Sequence, residues 1–363
     1  MNELHFVEND IVRPSMIDLP FIKPAFYRDL AVLGSCNGLL CLSTLDLPHG
    51  KNDCSLPMDI PIYVLNPMTG QHMALPPFIY LPEGVELQGF MSGFGFDNAK
   101  QEYKLVLVMF YKYDEGSEYI ENEVQVYTLG RMFWNKMVGI VPDVLINAYP
   151  TFSYVLIDGC INWITVKDLD SPNARPVVVS FNLRLGEFSD FTTPCVGVTN
   201  IEGYEKENRK RLLKKKKPLE CIRLGVLGEL LSLTDSSTDF IRIWQRKNDS
   251  GNKSWIQLFV LQKDLSFDWH ISPVVPIKLR ENGELVVHNS NDIIVSYNRT
   301  SGECAYLQVD GICAVFTRRF EVVPFVGTLI SIKSACRHAG VSNDTLFPDL
   351  SFAGMVNSLF IMY

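Results

Sequence analysis

The residues with chemistry to offer are six histidines, two small carboxylate groups, a glycine-aromatic pair and nine cysteines. His5, His49, His72, His270, His288 and His338 are scattered, with no i, i+4 pair and no HExxH spacing, so they do not read as a metal or triad set. Glu121 and Glu123 flank Asn122, and Asp114, Glu115 and Glu118 precede them in a polar connection. Paired carboxylates are the residue types for a calcium site or a glycosidase-like acid and base, although a solvated loop is the default for such a cluster. The glycines of "GFGFD", Gly93 and Gly95, lack the following helix that a phosphate loop needs, so they read as a strand twist or as close packing between blades. The cysteines are odd in number and form no Cys-x-x-Cys pair; Cys41, Cys160 and Cys313 sit in apolar runs, as small buried hydrophobes in a reducing compartment do. No nucleophile elbow, Walker loop or dinucleotide fingerprint occurs. The sequence therefore predicts no catalytic residue, no metal and no cofactor.

What would position any site is a repeated β pattern. "CNGLLCL" from Cys36 returns as "DGCINWIT" from Asp158, "LGELLSLT" from Leu227 and "NGELVVHN" from Asn282. Each is a turn that tolerates positive φ, here Asn37-Gly38, followed at once by a short apolar strand. A partner phrase follows: Asn66 with Gly70 in "YVLNPMTGQ", Asn182 with Gly186 in "SFNLRLGEF", and Asn298 with Gly302 in "SYNRTSGEC". Asn opens such a turn by bonding backbone amides just ahead of it, and Gly closes it in the left-handed conformation. "VQVYTLGRMFW" and "IRIWQRKNDSGNKSW" are looser versions that end in Trp134 and Trp255.

With "GFGFDNAKQEYKLVLVMF" as a further unit, successive turn glycines lie roughly 55 to 70 residues apart. Units of short strands at that period predict an all-β chain, a kelch-like β-propeller of five or six antiparallel blades. Each blade buries too little to stand alone, and ring closure buries its faces. The expected organisation is an irregular segment at 1–30, a propeller over 31–335, and a tail at 336–363 that is a short helix or a last strand. Of the tryptophans, Trp134, Trp163, Trp244 and Trp255 are expected to pack between blades, and Trp269 in "FDWHI" is the surface candidate for partner binding.

The bulk numbers agree with one large core: 363 residues, 47% hydrophobic. A net charge of −8 and a pI near 5.4 argue against a chain built to hold nucleic acid. The N-terminus reads as no signal peptide, and no apolar run approaches a membrane span. Asn298-Arg299-Thr300 matches a glycosylation acceptor, incidental without a secretory signal. The basic run at 206–220 is a solvated loop or a nuclear-import signal, so the expected location is cytoplasmic and/or nuclear.

"VLGSCNGLLCL", "YVLNPMTGQ" and "GFGFDNAKQEYKLVLV", in that order, resemble the F-box-associated domain of plant F-box proteins. "DGCINWITV", "VVSFNLRLGEF", "GELLSLTD" and "FVGTLISI" are similar to the rest of that domain, so the resemblance runs from about residue 32 to about residue 332. It implies a propeller that presents loops to a protein substrate, has no catalytic centre, and works beside an F-box that docks on a Skp-type adaptor of a cullin-RING ubiquitin ligase. Residues 1–30 do not read as an F-box, since "IDLPFIKP" lacks a helical apolar face, so adaptor binding is expected only if an F-box is supplied elsewhere. Recognition is expected from loops 44–58, 76–90, 111–123 and 167–176. The rival expectations are a carbohydrate-active enzyme on the same scaffold, with carboxylates or histidines converging at the central channel, and a decoy that binds substrate without recruiting the ligase.

Overall fold

A computed structural model describes residues 4–8, 15–16, 19, 31–43, 61–77, 85–112, 121–138, 141–146, 154–167, 175–194, 221–238, 240–249, 252–262, 274–289, 293–307, 321–336 and 357–362. The chain begins with β1 (Leu4–Glu8) and β2 (Ser15–Met16). Five antiparallel sheets follow, each continuous in sequence and each ordered first to fourth strand. Blade 1 holds β3 (Ala31–Cys36), β4 (Leu39–Ser43), β5 (Ile62–Asn66) and β6 (Gln71–Ala74). Blade 2 holds β7 (Glu86–Asp97), β8 (Glu102–Lys112), β9 (Glu121–Thr128) and β10 (Asn135–Val138). Blade 3 holds β11 (Val155–Ile157), β12 (Cys160–Lys167), β13 (Arg175–Asn182) and β14 (Glu187–Thr192). Blade 4 holds β15 (Ile222–Leu227), β16 (Leu230–Asp235), β17 (Phe240–Asp249) and β18 (Asn252–Gln262). Blade 5 holds β19 (Val274–Leu279), β20 (Leu285–Asn289), β21 (Ile293–Tyr297) and β22 (Cys304–Leu307).

The sixth sheet is assembled from both ends of the chain. β23 (Glu321–Val326) pairs with β24 (Asn357–Met362), and β24 pairs with β1, which carries β2 outside it. Two segments expected to be irregular or tail thus supply strands: Leu4 lies opposite Met362 and Glu8 opposite Ser358. The first strand of each blade lies innermost. β23 is beside β3, β3 beside β7, β7 beside β11, β11 beside β15, and β15 beside β19. This is a β-propeller, and its sixth sheet is built by pairing the two chain ends.

The recurring turn phrases are the hairpins that enter each second strand. Asn37 (φ 45°) and Gly38 (φ 78°) both lie in the left-handed region, the geometry that follows the right-handed twist of the flanking strands. Asp158-Gly159 and Gly228-Glu229 repeat it. The core is divided among the seams between blades. Leu39, Cys41, Val64, Phe94, Leu105 and Trp134 fill the first seam, and Met91, Val106, Ile161, Trp163 and Phe181 the second. Similar clusters join blades 3 and 4 and blades 4 and 5.

The up-and-down connectivity sorts every connection to one of two rims. Links from first to second and from third to fourth strands fall at one rim, and they are short: 37–38, 67–70, 158–159, 183–186 and 228–229 are examples. Links from second to third strands, and from blade to blade, fall at the opposite rim and are mostly long.

Candidate functional site

At the short-turn rim, the Asn…Gly phrases form one structure three times. The Asn66 carbonyl accepts from the Gly70 amide at 2.9 Å, and its Oδ1 accepts from the Met68 amide at 2.9 Å. Asn182 accepts from Gly186 N at 2.8 Å with its carbonyl, and from Arg184 N and Leu185 N, each at 2.9 Å, with Oδ1. Asn298 does the same for Gly302, Thr300 and Ser301. Gly70, Gly186 and Gly302 hold φ of 69°, 72° and 74°. These residues build turns.

Asn66 has a second task. Its Nδ2 donates to the Thr328 carbonyl at 3.0 Å and the Ile330 carbonyl at 2.8 Å. The Ile332 amide donates to Gln71 Oε1 at 3.0 Å. A Cβ on Gly38 would stand 2.1 Å from Thr328 Cγ2, and one on Gly130 would stand 2.2 Å from the Cys336 carbonyl oxygen. The chain has a one-turn helix α1 (Asp143–Ile146) after blade 2, and residues 327–336, which include the one-turn helix α2 (Ile332–Ala335), therefore form a strap seated across blades 1 and 2. Sequence reading sees only an apolar "FVGTLISI"; the strap depends on partners over 260 positions away.

The "GFGFD…YK" residues work at the seam of blades 2 and 3. A Cβ on Gly93 would come within 2.5 Å of Ile161, and one on Gly95 within 2.6 Å of both Leu156 and Leu183. Phe96 and Phe94 lie against Tyr103, with ring centroids 4.6 and 5.9 Å away. Lys104 Nζ donates to Asp97 Oδ2 at 2.8 Å and to the Leu183 carbonyl at 2.7 Å. Burial alone would push the Asp97 carboxyl up. Hydrogen bonds from Lys104 and from the Lys100 and Ala99 amides outweigh it and hold the carboxyl below its ordinary range.

Two other buried carboxylates, Glu102 and Glu123, are likewise engaged. Glu102 lies 3.3 Å from Arg131 and 3.8 Å from Lys104. Glu123, one of the suspected carboxylate pair, is buried and meets Lys136, Gln125 Nε2 at 2.5 Å and the Tyr111 hydroxyl at 3.4 Å. Between blades 4 and 5 an open cleft of about 920 Å³ is lined by Phe240, Val260, Arg280, Glu284 and Ser296 among others. Arg280 and Ser296 hydrogen-bond Glu284 at 2.8 and 3.0 Å and hold its carboxyl below the usual range. Such pairs fix geometry; a general acid or base would need a carboxyl left to titrate near neutrality. Among the described residues, no three His, Cys, Asp or Glu side chains gather as a metal site would require.

Trp269 and the run at 206–220 lie outside the described residues. So do most of loops 44–58, 76–90, 111–123 and 167–176, but the strand ends that flank all four lie at the long-connection rim. The other tryptophans sit at seams, and three use their indole N–H there: Trp134 to Pro76, Trp163 to Ser92 and Trp255 to Thr192.

Residues 19–325 match the F-box associated beta propeller domain. The chain is 26% identical over 253 residues to the F-box protein CPR1 of Arabidopsis thaliana, covering 65% of this chain and 53% of that protein. It is 25% identical over 364 residues to the Arabidopsis thaliana F-box protein At3g07870, covering 90% of this chain and 77% of that protein. The matched stretch thus spans about half the length of the first relative. Among solved structures, an exo-beta-1,3-galactanase from Clostridium thermocellum aligns at a TM-score of 0.36 and 10% identity, over 74% of this chain and 59% of that one. A ring of blades whose signature residues, Asn66 to Gly70 and Gly93 to Lys104, are spent on turns and seams, matched from residue 19 to residue 325, places this chain in the F-box associated β-propeller family.

Proposed function

We propose that this chain is a non-catalytic protein-recognition propeller, the substrate-binding half of an SCF-type ubiquitin ligase receptor acting in the cytoplasm and/or nucleus. The observation that carries the reading is family membership over residues 19–325, since the relatives are F-box proteins. Two features support it. The strand ends that carry the long connections share one rim, and loops held by rigid strands are a usual means of recognising proteins. Buried carboxylates that an enzyme would leave free are tied to Lys104, Arg131 and Lys136.

The test is affinity purification from plant extract with the full chain and with a variant whose 44–58 loop is a Gly-Ser linker. A protein retained by the first and lost from the second is the expected result. Retention of none, or turnover of a polysaccharide panel by the purified chain, overturns the reading. A Skp-type adaptor in the same eluate marks a ligase receptor, and its absence marks a decoy that binds substrate alone.

A further inference from the structure

Among the described residues, most exposed large apolar side chains stand at the short-turn rim; Phe240 and Val260 are the ones at long-connection strand ends. The densest group lies on blades 1 and 2. Leu329 is 81% exposed and Ile330 40%, beside Met68 at 44%; Met132 is 88% exposed and Phe133 66%. The strap joins the two sets. Its start is clamped by Asn66 at Thr328 and Ile330, and its end, Cys336, lies against Gly130 in the turn that carries Met132 and Phe133. The four residues of α2 between them rise about 6 Å, so the strap carries one apolar set and ends at the turn that carries the other.

The charge of this sector has one sign. The exposed ionisable side chains on 66–72, 97–102, 129–136 and 327–336 are His72, Lys100, Arg131, Lys136 and Lys333. The acids on the same turns, Asp97 and Glu102, are buried and paired with Lys104 and Arg131, and Lys136 meets buried Glu123, so Lys100 and Lys333 carry the charge left for a partner. A local cationic and apolar sector on a chain of net charge −8 marks a surface shaped for a partner of opposite charge. The backbone beneath it is already fixed by side-chain bonds, so docking there costs little further ordering.

We propose that the strap and the blade 2 turn form a second docking surface, for an acidic protein segment bearing large apolar side chains. Leu329 and Phe133 anchor its apolar residues, and Lys333 and Lys100 meet its carboxylates. This rests on the reading of the chain as a protein-recognition module, but places the contact on the rim opposite the long connections.

The probe is a phage-displayed library of random twelve-residue peptides, selected on the immobilised full chain. The expected peptides combine Asp or Glu with Leu, Phe or Trp. Their affinity falls at least tenfold with Leu329→Asp or Phe133→Asp and several-fold with Lys333→Glu, and it weakens as salt is raised. A peptide with Lys in place of one acid regains binding to the Lys333→Glu protein. All three positions are exposed, so the variants melt with the native chain. Selected peptides that bind all variants equally, or a selection that enriches none, overturn the surface; the loop-replacement result above then stands or falls by itself. Equal, variant-sensitive binding of single-stranded DNA or phosphatidylserine vesicles overturns it too, because the sector is then a general polyanion site.

Discussion

The indole N–H of Trp163, in the second strand of blade 3, donates to the carbonyl of Ser92 on the innermost strand of blade 2 at 2.9 Å. Trp134 and Trp255 make the corresponding bond further out, each at 3.0 Å, to Pro76 at the end of blade 1 and Thr192 at the end of blade 3. A tryptophan suits a seam because it fills the gap and satisfies a carbonyl that the preceding sheet leaves over. Replacing each by Phe separates the hydrogen bond from most of the packing. Trp163→Phe should cost most, about 2–3 kcal/mol, because donor and acceptor are both buried. Trp134→Phe should cost about 1–2 kcal/mol and Trp255→Phe less than about 1 kcal/mol, since water replaces its exposed bond. Urea unfolding of the three variants checks the order, and equal losses would mean the bonds do not distinguish the seams.

Glycines divide into two kinds that thermal melting can separate. Gly70 and Gly302 have positive φ and nothing within 4 Å of a Cβ, so Gly70→Val and Gly302→Val are destabilised by backbone strain alone, about 1–2 kcal/mol or more. Asn tolerates that conformation, and Gly70→Asn should melt close to the native chain. Gly93 and Gly95 fail for want of space, so Gly93→Ala and Gly95→Ala should each cost about 1–3 kcal/mol as Ile161, Leu156 and Leu183 are pushed aside. A Gly93→Asn variant as stable as Gly70→Asn would refute the distinction.

That contrast also marks what the amino-acid sequence makes legible. Asn37-Gly38 and the Asn…Gly phrases announce themselves because each turn is closed by its own residues. The same local logic yields the blade period and the fold class. The sheet in which Leu4 faces Met362 is not announced, because a pairing across the whole chain leaves no local pattern. The strap is invisible for the same reason: Thr328 and Ile330 are placed by the side chain of Asn66. The polar use of the tryptophans is missed because the apolar context of Trp163 suggests packing only. For the proposed docking sector, single residues such as Leu329 and Lys333 look ordinary until the strap that carries them is seen to end against the turn of Gly130.

Lys104 links three things at once: the Asp97 carboxylate, the Leu183 carbonyl and, at 3.8 Å, Glu102. Lys104→Met strands a buried carboxylate and a carbonyl, and should cost about 3–5 kcal/mol. Asp97→Asn keeps an oxygen for the Ala99 and Lys100 amides while removing the charge, and should cost less, about 1–3 kcal/mol. The double variant should be more stable than the sum of the single losses predicts, by about 1–3 kcal/mol, because neither charge is then left alone. Simple additivity in a chemical-denaturation cycle would show that the pair contributes nothing as a pair.

The strand β20 carries a titration that stability should report. Burial pushes the His288 imidazole down to about 4 from an ordinary 6.5. The folded chain therefore keeps His288 neutral where the unfolded chain has already taken up a proton. Between those two values the unfolded state binds more protons, so stability falls as pH falls from 6.5 toward 4, and this group adds no slope above 6.5. The full loss is on the order of 3 kcal/mol. The Asp97 carboxyl, held below its ordinary range, adds its own loss only at still lower pH. Melting curves from pH 8 to pH 4.5 should show a plateau and then a decline. A His288→Leu variant should lose most of the decline between pH 6.5 and 5, and an unchanged slope in that variant would assign the acid sensitivity elsewhere.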